Sequence, residues 1–413
     1  MRFLVCRWEA GSIEALLATG VKVVLLVDEW EAANRPIDPA VVERLERFVV
    51  VGSFEAMDEL ATLATGLQLE GLTFDRVVST CERGQFGAAY LATLLGLRQP
   101  TITQSVRVRD KRAMKSAVAA AGVRAARFTT VPSGDPAAAA AHVAREIGFP
   151  AVVKPVAGMG TTTTARVETA EELALWLVEN AAAGTLMAEE MIRGEEFHVD
   201  AVWVDGELWE LGVSRYLRPR IEVDKPGHLN GAVLLPRAEE AELYAAVEEL
   251  HRRVNAALDI TDGITHTELF RSADGTLWFS EIATRPGGGG VTHAFRPLGA
   301  DLREIWAESL TTRRREAVAL SAPPLPYVGW LLLAPETGGV ITREPSDEDI
   351  AAVPYVLEVE RLRRVGDAIQ LHSVAAALLV VLGADSEEEF ARRAIELESL
   401  LTYETTPVEQ ART

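Results

Sequence analysis

Two segments rich in strand-forming residues, Thr265-His-Thr-Glu-Leu-Phe270 and Leu277-Trp-Phe-Ser-Glu-Ile-Ala-Thr-Arg-Pro286, flank a short polar link that contains Asp274-Gly275. Asp-Gly between two such segments is a strong signal for a two-residue hairpin turn. That turn predicts Ala273 opposite Thr276, and counting outward sets Glu268 directly opposite Glu281. Opposed residues hold their β-carbons about 4.5–5.5 Å apart, where like charges repel. A cation between them reverses the sign of the interaction. Mg²⁺ suits the pair, because it takes hard oxygen ligands and shares them with substrate phosphates; Mn²⁺ is the alternative ion. Arg285 follows where the strand runs into Pro286 and the glycines Gly287–Gly290. Glu268 and Glu281 are therefore the candidate metal ligands of a Mg-nucleotide site.

A chain of 413 residues accommodates two or three domains. A net charge of −20 argues against nucleic acid or an anionic membrane as partner, since phosphate would be repelled. It leaves room for a small substrate in a locally positive pocket. Only Cys6 and Cys81 are present, so no disulfide framework is expected and a reducing cytoplasm is the natural setting. The chain opens on a strand-like run, Phe3–Cys6, without a signal-peptide pattern. The longest apolar run, around Val374–Leu382, is far short of the ~20 residues that span a bilayer. The expectation is a soluble, cytoplasmic protein.

Four stretches follow from periodicity. Residues 1–105 alternate strand and helix signals: Phe3–Cys6, Val21–Val27 and Asp75–Thr80 are apolar runs of the buried parallel type, and a helix covers Gly87–Leu95. This is a βαβ-type domain without G-x-G-x-x-G, so a dinucleotide site has no support there. Residues 106–190 read as an α+β unit. It has a helix Asp110–Ala121, a strand Arg127–Val131, the strand-like Ala151-Val-Val-Lys-Pro155, a loop Gly158-Met-Gly-Thr-Thr-Thr-Thr164 and a strand Thr185–Glu190. Residues 191–320 hold a second hairpin around Asp205-Gly206, an aperiodic loop Arg215–Gly231, a helix Ala238–Leu258 and the glutamate hairpin. The last stretch, 321–413, opens on a proline-rich link at Ala322–Pro326 and continues as an α/β-like segment with a frayed tail.

Glu82 follows its strand at the carboxyl edge, where open α/β sheets bind ligands; a solvated loop glutamate is the plain alternative. Lys154 ends a buried strand just before the glycine loop. Its compact charge and the exposed N–H groups around Gly158 and Gly160 suit phosphate oxygens, the alternative being a surface lysine beside an ordinary turn. Lys111, near the start of its helix, reads singly as solvated. Met187–Phe197 is apolar and then acidic: an extended backbone there can read an adenine edge, and a nearby glutamate can accept ribose hydroxyls.

Taken in order, Lys111, Val153-Lys154, the glycine–threonine loop, Glu189 to Glu196, Glu268 and Glu281 with Arg285 resemble the ATP-grasp superfamily over roughly residues 1–400. The resemblance implies an N-terminal Rossmann-like (pre-ATP-grasp) domain, a central lid subdomain and a C-terminal domain, with ATP held between two α+β subdomains. It implies that Lys111 and Lys154 reach the phosphates and that the loop of Gly158, Gly160 and Thr161 closes over them. Glu189, Glu190, Met191 and Ile192 would contact adenine, largely through backbone, and Glu196 the ribose. Arg285 would bind the transferred phosphate or the tetrahedral intermediate. One departure stands out: several relatives place asparagine where this chain has Ala283, which bears on the number of metal ligands.

Within the superfamily, Glu281-Ile-Ala-Thr-Arg-Pro-Gly-Gly288 looks most like the L-amino acid ligases and other carboxylate–amine ligases. These convert a carboxylate to an acyl phosphate that an amine attacks, releasing ADP and phosphate, with a small acid and an amine as substrates. His266 shares a strand face with Glu268 and is assigned a substrate contact, against a structural role. Gly287 and Gly288 offer backbone donors for a developing oxyanion, against a flexible link. Catalytic roles thus fall to Arg285, Lys154, His266 and Gly288, and substrate contacts to Glu82, His266, Arg285, Gly287 and Gly288. Arg215, Arg218 and Arg220 are candidates for a lid that binds substrate carboxylate, against an exposed charge cluster. A homodimer is a family-level expectation. The rival readings are a carboxylase-type enzyme activating bicarbonate, suggested by Leu371-His-Ser-Val and Gly383, and a nucleotide-binding protein without turnover.

Overall fold

The computed structural model describes residues 1–223, 229–299, 301–313, 321, 323–371 and 375–407. Residues 224–228 of the predicted lid, Ala322 of the proline-rich link, His372-Ser-Val374 of the bicarbonate-type segment and the tail from residue 408 lie outside the described residues.

The N-terminal stretch forms a parallel sheet in the order Arg47–Val51, Lys22–Asp28, Arg2–Cys6, Arg76–Ser79. The apolar runs explain it, because a strand covered on both faces needs apolar residues at consecutive positions. Phe3 and Val5 pack with Ile13 and Leu16 on one face, while Leu4 and Cys6 pack with Leu60 and Leu91 on the other. Three of these strands are expected from the sequence; Arg47–Val51 is an additional edge strand. Past Ser79, a short 3-10 turn, Glu82–Gly84, delivers Glu82 to the carboxyl edge of the sheet.

A smaller antiparallel sheet follows, ordered Phe128–Thr130, Leu186–Glu190, Ala151–Pro155, Ala165–Val167. Helices Pro136–Glu146 and Ala170–Glu179 cover it, started by the Asp135 and Thr169 side-chain caps. The glycine loop joins Ala151–Pro155 to Ala165–Val167, and Gly160 takes φ +58°, a left-handed conformation that glycine adopts without penalty.

The third sheet has eight antiparallel strands, in the order Leu277–Ala283, Gly263–Arg271, Glu195–Val204, Glu207–Tyr216, Asn230–Leu234, Tyr327–Leu333, Leu378–Ala384, Val356–Arg361. Strands from both sides of residue 320 share it. Helix Ala241–Leu258 packs Leu243, Val247 and Val254 into the same core as Phe197, Val199 and Leu269. The expected irregular loop Arg215–Gly231 is shorter than its lack of periodicity suggests. Arg215 and Tyr216 end one strand, Asn230 and Gly231 begin the next, and a 3-10 turn occupies Arg220–Glu222. Among the described residues no helix is long and apolar enough to cross a membrane.

The Asp205-Gly206 hairpin turns as expected, both residues at positive φ. The glutamate hairpin does not. Ser272 N–H bonds Thr276 O at 3.0 Å and Arg271 pairs with Leu277, so its turn has three residues and the register is one off the predicted one. A bulge between Glu268 and Leu269 then inserts Ser280 and restores Glu268 opposite Glu281. Without the bulge, alternation would send Glu281 to the face of Phe279, which lies in the core with Leu269.

Candidate active site

Glu268 and Glu281 are register partners at the edge of the large sheet. Burial pushes the Glu268 carboxyl up and the Glu281 charge pushes it further. Burial acts upward on Glu281 too, but Lys111 and Lys154 outweigh it and pull that group down to about 2. The pair is asymmetric: Glu281 faces ammonium groups, while Glu268 accepts a long bond from Tyr216 Oη, 3.4 Å, and has His266 Nε2 at 4.0 Å. Two opposed carboxylates, one of them raised by its neighbour, are a donor set that a hard divalent cation would relieve, and they fit Mg²⁺. Ala283 pairs with His266 and adds no oxygen side chain.

The lysines converge here but are already engaged. Lys111 Nζ lies 3.2 Å from Glu281 Oε2 and 3.1 Å from the Gly158 carbonyl. Lys154 Nζ lies 2.6 Å from Glu189 Oε1 and 3.8 Å from Glu281 Oε2. Lys111 is buried, so its solvated reading fails. Glu189 departs from the expectation of a mainly backbone role: its carboxylate is buried between Lys154 and Lys115, whose Nζ is 3.0 Å from Oε2. Its strand is interior to the small sheet, so the Glu189 backbone pairs with Phe128 and Val152. Glu190 turns outward to Arg127, and the ladder ends there, with Met191 and Ile192 following outside it.

Glu196 accepts the Arg220 N–H at 2.8 Å; burial, with Glu268 nearby, pushes its carboxyl up to about 8. The three arginines of the expected lid do not act as one group. Arg215 is ion-paired with Glu195 and Glu387, and Arg220 bonds Asn230 Oδ1 at 2.6 Å. Arg218 lies close enough to Glu398 to act on its charge.

Glu82 is buried rather than solvated. Its Oε1 lies 2.5 Å from Arg285 Nη2 and its Oε2 3.1 Å from Arg109 Nη1, so these two arginines, outweighing burial, hold it below the usual carboxylate range. Arg109 also reaches the Ala157 carbonyl of the glycine loop. The Gly287–Gly290 segment is packed rather than loose. A Cβ on Gly287 would meet Asp200 Oδ1 at 2.7 Å and Val291, and one on Gly290 would meet Trp330 at 2.4 Å. A Cβ on Gly288 would meet nothing within 4 Å, so its backbone borders open space. His266 Nδ1 is 2.8 Å from Asp200 Oδ1, and its Nε2 is 4.0 Å from Glu268 Oε1.

The structure thus gathers Glu82, Lys111, Lys154, Gly158, Glu189, Glu196, His266, Glu268, Glu281, Arg285 and Gly287 through one connected set of contacts. Sequence reasoning missed Arg109, Lys115, His198, Asp200 and Tyr216. Two of these carried a signal: Lys115 stands i+4 from Lys111 on one helix face, and Asp200 alternates with His198 on one strand face.

The ATP-grasp domain profile matches residues 116–294. An L-arginine-specific L-amino acid ligase of Bacillus subtilis is 29% identical over 319 residues, 75% of either chain. A D-alanine–D-alanine ligase of Geobacillus thermodenitrificans is 21% identical over 240 residues, 56% of this chain and 62% of its own. In fold, the chain is similar to the L-amino acid ligase from Bacillus licheniformis, with TM-score 0.78 over 98% of both chains at 20% identity. It is also similar to an N5-carboxyaminoimidazole ribonucleotide synthetase from Thermotoga maritima, with TM-score 0.69 over 98% of this chain and 99% of the other at 16% identity. The ATP-grasp architecture expected from the motifs is the one observed.

Proposed function

We propose that the chain is an ATP-grasp enzyme of the carboxylate–amine ligase type that joins a small acid or amino acid to an amino acid through an acyl phosphate, a reading its similarity to the ATP-grasp profile and to an L-amino acid ligase supports. A carboxylate oxygen attacks the γ-phosphorus of ATP and ADP leaves. The amine nitrogen then attacks the acyl carbon, phosphate departs, and the amine gives up a proton. The observation that carries this reading is the convergence of Lys111 and Lys154 on the opposed Glu268–Glu281 pair, with Arg285 on the adjoining loop.

Each group has work that its place supports. Two anions must meet in the first step, and Lys111, Lys154 and Arg285 offset their repulsion and align them. Lys111 and Lys154 exchange their carboxylate partners for phosphate oxygens as ATP enters. Glu268 and Glu281 hold Mg²⁺, which when bound supplies further positive charge to the phosphates. Met191 and Ile192, beyond the end of the ladder, face adenine, and Glu196 accepts the ribose hydroxyls. Gly158, Gly160 and Thr161 close over the phosphates. Arg285, with the Gly287 and Gly288 backbone, stabilises the oxyanion of the second step. Glu82 holds Arg285 in line and borders the acid.

A phosphate-release screen with ATP, Mg²⁺ and pairs of amino acids, followed by mass spectrometry, tests the proposal. The expected product is an amide formed without added bicarbonate; a strict bicarbonate requirement, or no amide from any pair, rejects it. Glu281→Gln is expected to cut phosphate release by about 10²-fold or more with the fold intact, and turnover at the wild-type rate would remove the metal-ligand assignment.

A further inference from the structure

Asp200 sits on strand Glu195–Val204, opposite His266 in the neighbouring strand and two residues from His198. It is 1% exposed. Its Oδ1 lies 2.8 Å from His266 Nδ1, and its Oδ2 lies 2.6 Å from His198 Nδ1. Burial acts to raise this carboxyl, but the two imidazoles outweigh it and hold it well below the usual carboxylate range. An ionised carboxylate only accepts, so both rings donate from Nδ1, and a neutral ring then carries no hydrogen on Nε2. His198 is fixed between Tyr216 at 4.8 Å and Trp330 at 6.3 Å between ring centroids. His266 differs: its Nε2 is turned to the site, 4.0 Å from Glu268 Oε1. A lone pair on nitrogen and one on oxygen across that gap suit a donor placed beside both. The absence of a side chain at Gly287 lets the loop after Arg285 rest on the same Asp200 oxygen.

We propose that Asp200 is a positioning residue that locks His266 in the Nδ1–H tautomer, so that its Nε2 accepts a hydrogen bond from the amine substrate. The amine rests on the ligase reading; the tautomer does not. The test is the ¹⁵N spectrum of full-length protein labelled at histidine, recorded at rising pH until the ring signals stop moving and the rings are uncharged, because, against burial, Asp200 holds His266 above the ordinary imidazole value. The His266 signals are assigned by their loss in His266→Gln. The expected result is Nδ1–H at His266; Nε2–H in the resting protein overturns the proposal. Asp200→Asn should lower kcat for amide formation about tenfold or more, leave KM for ATP within about twofold, and add almost nothing in the His266→Gln background. An equal loss in both backgrounds assigns Asp200 a purely structural role and overturns it. If Asp200→Asn does not fold, the wild-type tautomer decides. Because the ligand atoms of these three residues lie within 4.8 Å of one another, stoichiometric zinc retained by wild type and lost from His198→Gln would also overturn it. The Nδ1–H tautomer in a protein that forms no amide upholds the lock and rejects the ligase reading alone.

Discussion

Glu189 has a cation on each oxygen, Lys154 at 2.6 Å and Lys115 at 3.0 Å, and Lys115 is 1% exposed. Burial works against every charge in this group, pushing Glu189 up and Lys115 down. The two lysines outweigh it at Glu189 and keep its carboxyl low, whereas at Lys115 burial prevails. Removing the central anion should therefore cost more than removing one cation. Glu189→Gln leaves two buried ammonium groups facing a neutral amide and is expected to cost about 3–5 kcal/mol. Lys115→Met keeps the Glu189–Lys154 contact and refills the lysine stem, so a loss of about 1–2 kcal/mol is expected. Urea unfolding of both variants gives the order, and a larger loss for Lys115→Met would mean that stem packing dominates. The sequence contains the i, i+4 spacing of Lys111 and Lys115, but a lysine on a helix reads as exposed, and only the fold brings Glu189 against it.

Hairpins and their registers were partly legible, for a reason visible in the glutamate hairpin. Its strands and the position of its turn can be read from residue types, whereas a three-residue loop and a compensating bulge at Ser280 change the register twice and leave composition untouched. The one available trace is the spacing of Phe279 and Ile282, both in the core though three residues apart. Helix Ala241–Leu258 presents the opposite case, a long periodic element whose existence is plain but whose polar contacts are not. Its His251 is buried, its Nε2 within hydrogen-bond distance of the Thr265 and Thr267 hydroxyls at 3.2 and 3.1 Å, with the ring edge-on to Trp203 at 5.2 Å. Burial pushes it down to about 3. The unfolded chain takes up a proton at this histidine below about pH 6.5 while the folded chain does not. Its contribution is thus complete above about pH 6.5 and falls as the pH drops towards 3. Folding stability should lose up to about 1.4 kcal/mol per pH unit over that window from His251 alone. The difference in slope between wild type and His251→Gln, followed by urea unfolding from pH 7 to 4.5, measures it; parallel slopes would show that the ring titrates in the folded state.

Across the whole molecule, the parallel and the large sheet share an apolar core, Phe3 and Val5 with Val202 and Ile264, and a chain of charged contacts through Arg109 and Glu82 links both to the small sheet. Arg109 ends helix Ile102–Arg109 and bonds the Ala157 carbonyl of the glycine loop, which belongs to the small sheet. It also meets Glu82 at the edge of the parallel sheet, and Glu82 in turn meets Arg285 beyond the last strand of the large one. No local pattern in the sequence marks such a residue, because its partners are 27 and 48 positions away. Arg109→Leu keeps Glu82 paired with Arg285, so the fold should survive, with a loss of about 1–3 kcal/mol from the broken charged hydrogen bonds. The glycine loop keeps Lys111 on the Gly158 carbonyl, and Lys111 is the group proposed to leave for phosphate. Hydrogen exchange at residues 157–164 should therefore quicken in the variant without nucleotide. With Mg²⁺ and ATP the loop gains phosphate contacts, so the difference should narrow while the nucleotide Kd rises about tenfold, near 1.4 kcal/mol. If exchange in this loop is unchanged by Arg109→Leu, its order comes from its own turns, and the glycine loop is not coupled to Glu82 and Arg285 through this arginine.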